Sequence, residues 1–264
     1  MTVLDFMIKT EKSNAAAKSG GQTSTPPAPA PADKPLRLIL LGAPGVGKGT
    51  QAEFFSQKLG LYHFSTGDFF RAAKKLTPEQ RTAGMNEAMT YMTKGLLVPD
   101  TTVLAIVREN AGKLNCPQGF LLDGFPRTVA QAGALEELLA REKLPLTAVV
   151  NYELPMQEIV DRLSGRRTCA GCKAVYHLVT RPPLKKDVCD HCGGALYQRE
   201  DDKPESIRVR MNAYQQSTMP LIQFYQKRGL LVPIQADKTP AEIFERTLAG
   251  LKAAEAAKER KTKK

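Results

Sequence analysis

Residues 42–50 have the sequence GAPGVGKGT, and they follow directly on the apolar run Leu36-Arg37-Leu38-Ile39-Leu40-Leu41. This order predicts a buried strand, a glycine-rich loop and the start of a helix. Consecutive backbone N–H groups and a helix N-terminus would then face one point, and such an arrangement binds the phosphates of a nucleotide. Lys48 would reach the β- and γ-phosphates. The stretch therefore predicts a phosphate-binding loop, and a glycine-rich turn without a ligand is the alternative.

Length and charge describe the rest of the chain in outline. Its 264 residues suit one α/β domain with insertions. No apolar run reaches the roughly 18 residues of a membrane span, and the N-terminus lacks the apolar core of a signal peptide. We therefore expect a soluble, cytoplasmic protein, and organellar targeting by the N-terminus stays open.

Of the net charge of +11, residues 162–199 contribute +6 and residues 252–264 contribute +4. We interpret the first cluster as a polyanion clamp and the second as a solvated tail.

Three regions differ in composition. Residues 1–35 are predicted to be a disordered extension, because residues 13–35 are rich in Ala, Pro, Ser, Thr and Gly without periodicity. Residues 1–12 carry several apolar side chains, which indicate either a frayed end or a docking or targeting segment. We expect residues 36–250 to form the folded core and residues 251–264 a basic C-terminal tail.

Within the core, strands and helices are predicted to alternate. The candidate strands are 36–41, 61–64, 119–122, 147–152 and 231–235. Short apolar runs separated by helices are typical of a parallel sheet covered on both faces, so we predict a five-stranded α/β fold. Ligands of such sheets lie beyond the carboxyl ends of the strands, where we expect Gly42 and Asp123. A carboxylate at a strand tip beside a phosphate loop suits a hydrated Mg²⁺.

Seven segments together resemble the adenylate kinases, which are ATP:AMP phosphotransferases. They are GAPGVGKGT (42–50), STGDFFR (65–71), GLLVPD (95–100), LLDGFPRT (121–128), DRLSGRR (161–167), REDD (199–202) and IRVR (207–210). The general phosphate-loop pattern has Ser or Thr directly after the lysine, whereas this chain has Gly49 and then Thr50, a shift found in a subset of nucleotide kinases. The resemblance covers about residues 36–250. It implies a P-loop nucleoside monophosphate kinase fold with a mobile monophosphate-binding arm at 65–98 and a mobile lid at 165–200.

The resemblance also implies an activity, reversible Mg²⁺-dependent transfer of the ATP γ-phosphate to AMP to give two ADP, carried out by a monomer. The residues implied to bind ATP are Gly45, Val46, Gly47, Lys48, Gly49, Thr50, Arg162, Arg166 and the backbone at Val175 and Tyr176. Those implied to bind AMP are Thr66, Arg71, Leu96, Leu97, Val98, Gly124, Phe125, Pro126, Arg127, Gln131, Arg199 and Arg210. The implied catalytic set is Lys48, Arg127, Arg166, Arg199 and Arg210, with Asp123 associated with Mg²⁺. These residue types fit the chemistry, because phosphoryl transfer needs positioning and charge neutralisation, and arginine bonds phosphate bidentately.

Four cysteines lie in the implied lid. Cys169-x-x-Cys172 and Cys189-x-x-Cys192 are separated by sixteen residues, a spacing typical of a tetrahedral Zn²⁺ site. Four protein ligands leave no open position, so we expect a structural metal that stabilises a lid with little core of its own. Disulfides, or His191 as a ligand, are the alternatives. The fifth cysteine, Cys116, is predicted to be a buried structural thiol.

Other functions stay open at this point. A pyrimidine nucleoside monophosphate kinase would share the loop and the arginines, although Thr66 and Gln131 favour AMP. A nucleic-acid-binding P-loop protein is suggested by the cysteine cluster, the lysine-rich tail and a pI near 9.4. The tail could also continue the last helix towards an anionic membrane or a partner.

Overall fold

The computed structural model describes residues 34–73, 76–93 and 96–262. The predicted extension up to residue 33 lies outside the described residues. Gly95, the first residue of the GLLVPD segment, also lies outside them.

Strands and helices alternate along the described residues. The strands are β1 (Leu36–Gly42), β2 (Tyr62–Ser65), β3 (Gly119–Asp123), β4 (Ala148–Glu153), β5 (Arg166–Cys169), β6 (Val175–His177), β7 (Leu196–Tyr197) and β8 (Leu231–Gln235). The α-helices are α1 (Lys48–Leu59), α2 (Thr66–Ala73), α3 (Ala83–Thr93), α4 (Asp100–Glu109), α5 (Val129–Arg141), α6 (Met156–Gly165), α7 (Pro204–Ala213), α8 (Pro220–Lys227) and α9 (Pro240–Thr262). Short 3₁₀ turns lie at Pro78–Gln80, Ala111–Leu114 and Glu200–Asp202, and a π-helical segment lies at Tyr214–Thr218.

Five strands form the central sheet in the order β2-β3-β1-β4-β8. All of its neighbouring pairs are parallel, as predicted, and each predicted strand agrees with the structure to within one residue at either end. Leu40 of β1 pairs with Asp123 of β3, and Gly42 follows two residues later. The carboxyl ends of β1 and β3 therefore bring the phosphate loop and Asp123 to one edge of the sheet, as expected.

Both faces of the sheet are covered by helices, which explains why β1 is a continuous apolar run. Ile39 and Leu41 belong to a core shared with helices α2 to α5 and α8. Leu38 and Leu40 point to the opposite face, where they join a second core with α1 and α9. Since successive side chains of a strand alternate between faces, one apolar segment supports both layers.

A smaller unit is inserted between α6 and α7. Strands β5, β6 and β7 form an antiparallel sheet in the order β6-β5-β7. This insertion occupies the predicted lid region and carries the four clustered cysteines.

The C-terminal region is helical beyond the predicted start of the tail. Helix α9 continues across residue 250 to Thr262, so the division between core and tail does not coincide with a break in structure. Leu251 is buried in the second core, and the Lys258 ammonium donates a hydrogen bond to the Thr147 carbonyl at 2.8 Å. Among the described residues, the helices are all too short or too polar to cross a bilayer.

The start of β3 gives a stability prediction. Gly119 has φ = 100°, and a Cβ atom built there would collide with the Leu36 carbonyl of the neighbouring strand. Gly119→Ala should therefore cost more than about 3 kcal/mol of unfolding free energy and lower Tm by roughly 6 °C or more. Thermal unfolding measures this. Gly112→Ala is the matched control, because a Cβ atom there would have no heavy atom within 4 Å other than those of its own turn and its chain neighbours. Equal melting temperatures for the two variants would contradict the packing of β3 on β1.

Candidate active site

The loop between β1 and α1 has the geometry that its glycines predict. Gly45 has φ = 85° and packs on Leu163, whose Cγ would lie 2.6 Å from a Cβ at this position. Gly47 caps α1 with φ = 108°, in the left-handed region that favours glycine. Val46 between them is buried and joins the core of the sheet. The loop is thus anchored by one apolar side chain while its glycines allow the backbone to curve around the start of α1.

Lys48 is held inside this loop. Its ammonium donates hydrogen bonds to the carbonyls of Gly42 at 2.7 Å and Ala43 at 2.9 Å. The pKa of Lys48 is lowered to about 8, chiefly by burial; Asp123 opposes the shift, and the charges of Arg127 and Arg210 contribute to it. The lysine predicted from the sequence therefore lies among other cations at the carboxyl edge of the sheet.

Asp123 forms a pair with His63, which the sequence analysis did not select. The His63 Nε2 atom lies 3.8 Å from the Asp123 carboxylate. Burial by itself raises the pKa of Asp123, but the His63 contact and the Lys48 charge more than offset this and hold the pKa below its ordinary value. The pKa of His63 is raised, because Asp123 outweighs the effect of burial. Asp123 is therefore an ionised carboxylate at the strand tip, as a Mg²⁺-associated group must be.

A buried carboxylate positions two of the predicted arginines. Asp202 is fully buried, and it accepts two hydrogen bonds from the Arg166 guanidinium, at 2.8 and 2.5 Å. Arg210 lies 3.3 Å from the same carboxylate. Arg210 also contacts Asp201, at 2.7 Å to its carbonyl oxygen and 3.0 Å to its carboxylate. The turn at 200–202 thus connects Arg166, the first residue of β5, to helix α7.

The other three arginines are also held in place. Arg71 bonds Asp68 through two guanidinium nitrogens, at 2.7 and 3.2 Å. Arg127 Nε donates to the Gly124 carbonyl at 2.7 Å, and Arg199 Nε donates to the Thr168 hydroxyl at 2.9 Å.

The five arginines are close enough to perturb one another. The pKa of Arg127 is lowered to about 10, chiefly by reduced solvation of the guanidinium and also by the charge of Arg210. Burial likewise lowers the pKa of Arg199 to about 10, with Arg166 and Arg71 contributing. The structure therefore brings together the guanidinium groups that the sequence placed in five separate segments.

Gln131 is bound at both ends of its side chain by the protein. Its carbonyl oxygen accepts from the Arg127 backbone N–H at 2.7 Å, and its amide donates to Asp100 at 2.6 Å. Asp100 also accepts from the hydroxyl of Thr128, which caps helix α5. Asp100, quoted only as the last letter of a motif, was missed as a site residue. The network fixes the turn that carries Arg127.

The predicted AMP residues lie around this turn. The Thr66 hydroxyl donates to the Gly124 carbonyl at 3.0 Å, which links α2 to the turn. Phe125 is buried, and its bond to Pro126 is cis. In the preceding segment Leu96 is exposed, Leu97 is half-buried and Val98 is buried in the core.

The remaining predicted ATP residues divide between the core and the lid. Arg162 donates to the Ala236 carbonyl at 2.9 Å and lies 3.5 Å from the Val46 carbonyl, so it joins the phosphate loop to the segment after β8. The Tyr176 side chain is buried in the lid, and its hydroxyl accepts from the Asp190 backbone N–H at 2.8 Å. Val175 and Tyr176 belong to β6, which pairs with β5 next to Arg166.

The four lid cysteines converge on one point. Their sulfur atoms all lie within 4.8 Å of one another, with Cys169–Cys192 at 3.4 Å and Cys172–Cys189 at 3.5 Å. A tetrahedral site with metal–sulfur bonds of 2.3 Å has sulfur–sulfur edges of about 3.8 Å, so the arrangement fits such a metal. All four are thiols without disulfide bonds, and the alternative of disulfides is wrong.

The lid core is built around these thiols. Cys169 and Cys189 are buried together with Tyr176 and Leu196. His191 packs its ring 6.4 Å from that of Tyr176, and the cluster of ligand atoms is formed by the cysteines alone. Outside the lid, Cys116 is only partly buried, which corrects the prediction of a buried thiol.

Comparison with known proteins extends these observations. A family model described as adenylate kinase matches residues 40–230. An adenylate kinase of Caldicellulosiruptor saccharolyticus is 48% identical over 216 residues, which cover 82% of this chain and 99% of that protein. An adenylate kinase of Bacillus licheniformis is 49% identical over 209 residues, 79% of this chain and 94% of its own length. One of Archaeoglobus fulgidus is 48% identical over 203 residues, with 77% and 92% covered.

Lys48 gives a pH-dependent prediction. Because its pKa is about 8 in the protein alone, Lys48 is protonated below that pH and largely neutral near pH 9. A polyphosphate favours the charged ammonium and raises its pKa, so binding near pH 9 should take up almost one proton. Affinity should fall by up to about tenfold per pH unit above pH 8 and be nearly constant below it. Titration calorimetry of ATP with EDTA, in buffers of different ionisation enthalpy, counts the protons.

Two lysine variants make this test specific. Lys48→Met should abolish the proton uptake, whereas Lys58→Met should retain it, because Lys58 lies at the far end of α1 beside Phe54 and Phe244. The same proton count near pH 7 and near pH 9 in the unmodified protein would contradict a lowered pKa at Lys48.

Proposed function

Because the chain belongs to the adenylate kinase family, we propose that it catalyses the reversible transfer of the ATP γ-phosphate to AMP, which gives two ADP. The convergence of Lys48 and the five arginines beside the phosphate loop carries this proposal. The positive charges of these groups offset the negative charges of the ATP phosphates, of the AMP phosphate and of the phosphoryl group during transfer.

The chemistry assigned to the residues is positioning and charge neutralisation. Lys48 and the backbone of the loop would bind the β- and γ-phosphates of ATP, and Arg71 and Arg127 would bind the AMP phosphate. Arg166, Arg199 and Arg210 would neutralise the equatorial oxygens of the transferring group. Their carboxylate, carbonyl and hydroxyl partners hold the individual guanidinium groups before substrate binds, so little side-chain reorganisation is needed once the lid has closed.

The turn at 200–202 links the lid to the catalytic arginines. Arg166 begins β5 at the lid boundary, and it donates to the Asp202 carboxylate, which also contacts Arg210 of α7. A lid movement that turned β5 would therefore carry Arg166 relative to Arg210. We propose that lid closure completes the catalytic arginine set and excludes water from the transferring phosphate.

Two metals fit residues of this chain. Asp123 is a partly buried, ionised carboxylate beside the phosphate loop, which suits the Mg²⁺ that would arrive with ATP and neutralise phosphate charge. The four lid thiols suit Zn²⁺ in a closed structural site, where it would supply folding free energy to a small core.

The alternative of a separate nucleic-acid-binding module gains no support, since the family match at 40–230 includes all four cysteines. We propose a monomeric enzyme that acts in the cytoplasm, in agreement with the expectations from sequence.

The acceptor specificity tests the function directly. ADP formation from ATP should be strong with AMP and weak with UMP, CMP and dTMP, and it should require Mg²⁺. A coupled assay of ADP formation measures all four acceptors under the same conditions. Preferred turnover of a pyrimidine would reassign the pocket around Thr66 and Gln131, and a lack of transfer to any acceptor by folded protein would overturn the proposal.

Substitution of a lid cysteine should affect mainly stability, whereas substitution of Lys48 should affect mainly the chemical step. Cys169→Ala should lose the bound zinc and lower Tm by about 10 °C, with a smaller direct effect on kcat. Lys48→Ala should leave zinc and Tm nearly unchanged and lower kcat by at least about 100-fold.

Metal analysis by plasma mass spectrometry, thermal unfolding and the coupled assay give the three readouts. Cys116→Ala is the matched control, because this cysteine is not part of the cluster. A Cys169→Ala protein that retained one zinc and its normal Tm would show that the four thiols do not bind the metal.

A further inference from the structure

An apolar groove lies on the edge of the molecule opposite the phosphate loop. It has a volume of about 330 Å³, and its apolar floor is formed by Leu139, Ala140, Pro145, Leu146 and Leu230. Leu146 and Leu230 directly precede β4 and β8, so the groove lies at the amino ends of these strands. Nucleotides bind at the carboxyl ends of parallel strands, and the proposed active site therefore does not account for this groove.

The chain leads into the structure beside the groove. Thr147, the neighbour of Leu146, donates a hydrogen bond from its hydroxyl to the Pro35 carbonyl at 3.5 Å and accepts one from the Arg37 backbone N–H at 3.0 Å. Lys34, the first described residue, lies 3.4 Å from Glu255 of α9. The 33 residues that precede Lys34 are thus tethered next to the groove.

The first twelve residues contain apolar side chains that suit the apolar groove. Leu4 and Ile8 are four residues apart, a spacing that puts both on one side of either a helix or a strand, and Phe6 and Met7 lie between them. A dry cavity of 150 Å³ accommodates benzene, so a groove of about 330 Å³ suits about two large apolar side chains.

The charges at the groove and the length of the connecting segment are both compatible with binding of the first residues. Lys143 lines the groove beside its apolar floor, and the apolar run 3–8 contains Asp5, whose charge is opposite; Glu136, which also lines the groove, is paired with Arg228. Residues 13–33 provide 21 connecting residues, and a coil of that length has a root-mean-square span of about 25 Å. Such a tether gives an effective concentration on the order of millimolar, so contacts of only a few side chains are sufficient.

We propose that residues 3–8 of this chain bind in the groove formed by Leu139, Ala140, Pro145, Leu146 and Leu230. The interaction is intramolecular and covers apolar surface at the amino edge of the sheet. It goes beyond the kinase activity, since it uses no residue assigned to nucleotides.

Photo-cross-linking of the full chain tests the contact. Benzoylphenylalanine replaces Phe6 in one protein and Gln22, in the connecting segment, in a second. After irradiation, peptide mass spectrometry should find the Phe6 probe attached to residues 139–146 or to Leu230, at the mass of one chain. The Gln22 probe should show no preference for the groove. Attachment of the Phe6 probe to scattered sites, or to a second copy of the chain, would overturn the proposal.

Variants on both sides of the contact complete the test. Ala140→Glu places a charge on the groove and should lower the groove cross-link at least about tenfold. Ala253→Glu, at another exposed alanine of a helix, should leave the yield unchanged. Leu4→Asp should reduce the cross-link as much as Ala140→Glu does, and it alters no residue of the folded core. An undiminished groove cross-link in the Leu4→Asp protein would also overturn the proposal.

Discussion

Repulsion among positive charges is the constraint on which the active site depends. Lys48, Arg127, Arg199 and Arg210 all have lowered pKa values, because the protein around them reduces their solvation and because other cations lie near them. A fold that brings these cations together must hold them with polar partners that leave the positions of the bound phosphates free. Asp68, Asp123, Asp201 and Asp202 are such partners, and loop carbonyls serve the same purpose for Lys48. Bound phosphates would relieve the repulsion that remains, which gives the site its affinity for polyanions.

The lid is stabilised in a different way from the central sheet. The central sheet is covered by two extensive layers of aliphatic and aromatic side chains, whereas the buried hydrophobic cluster of the lid consists of two cysteines, a tyrosine and a leucine. So little apolar burial offsets only a small part of the ordering entropy of the lid. A metal held by the four cysteines would stabilise such a unit locally, as proposed above, and lid movement about Arg166 would then not depend on the core.

The sequence predicted the elements that depend on local pattern, and it missed pairings that depend on the sheet. The five strands, the phosphate loop and the cysteine cluster follow from apolar runs, glycines and short spacings. His63 was missed because it meets Asp123 only after β2 and β3 pair, and these strands are more than fifty residues apart in the chain. Asp202 and Asp100 are ordinary acidic residues in their motifs, and only the tertiary structure reveals their arginine and glutamine partners. Predicting such pairs requires the register of the strands as well as their existence.

The polarity of the parallel sheet separates two kinds of surface in this molecule. At the carboxyl ends, loops carry the charged groups that suit phosphates, and at the amino ends, short connections leave apolar residues such as Leu146 and Leu230 near the surface. Thr147 connects β1, the N-terminal chain and α9 at this second edge, through contacts with Pro35, Arg37 and Lys258. A segment bound there would stabilise both termini against the sheet while it remained remote from the catalytic arginines. The extension can therefore acquire a role of its own without changing the chemistry, because the sheet keeps its two edges apart.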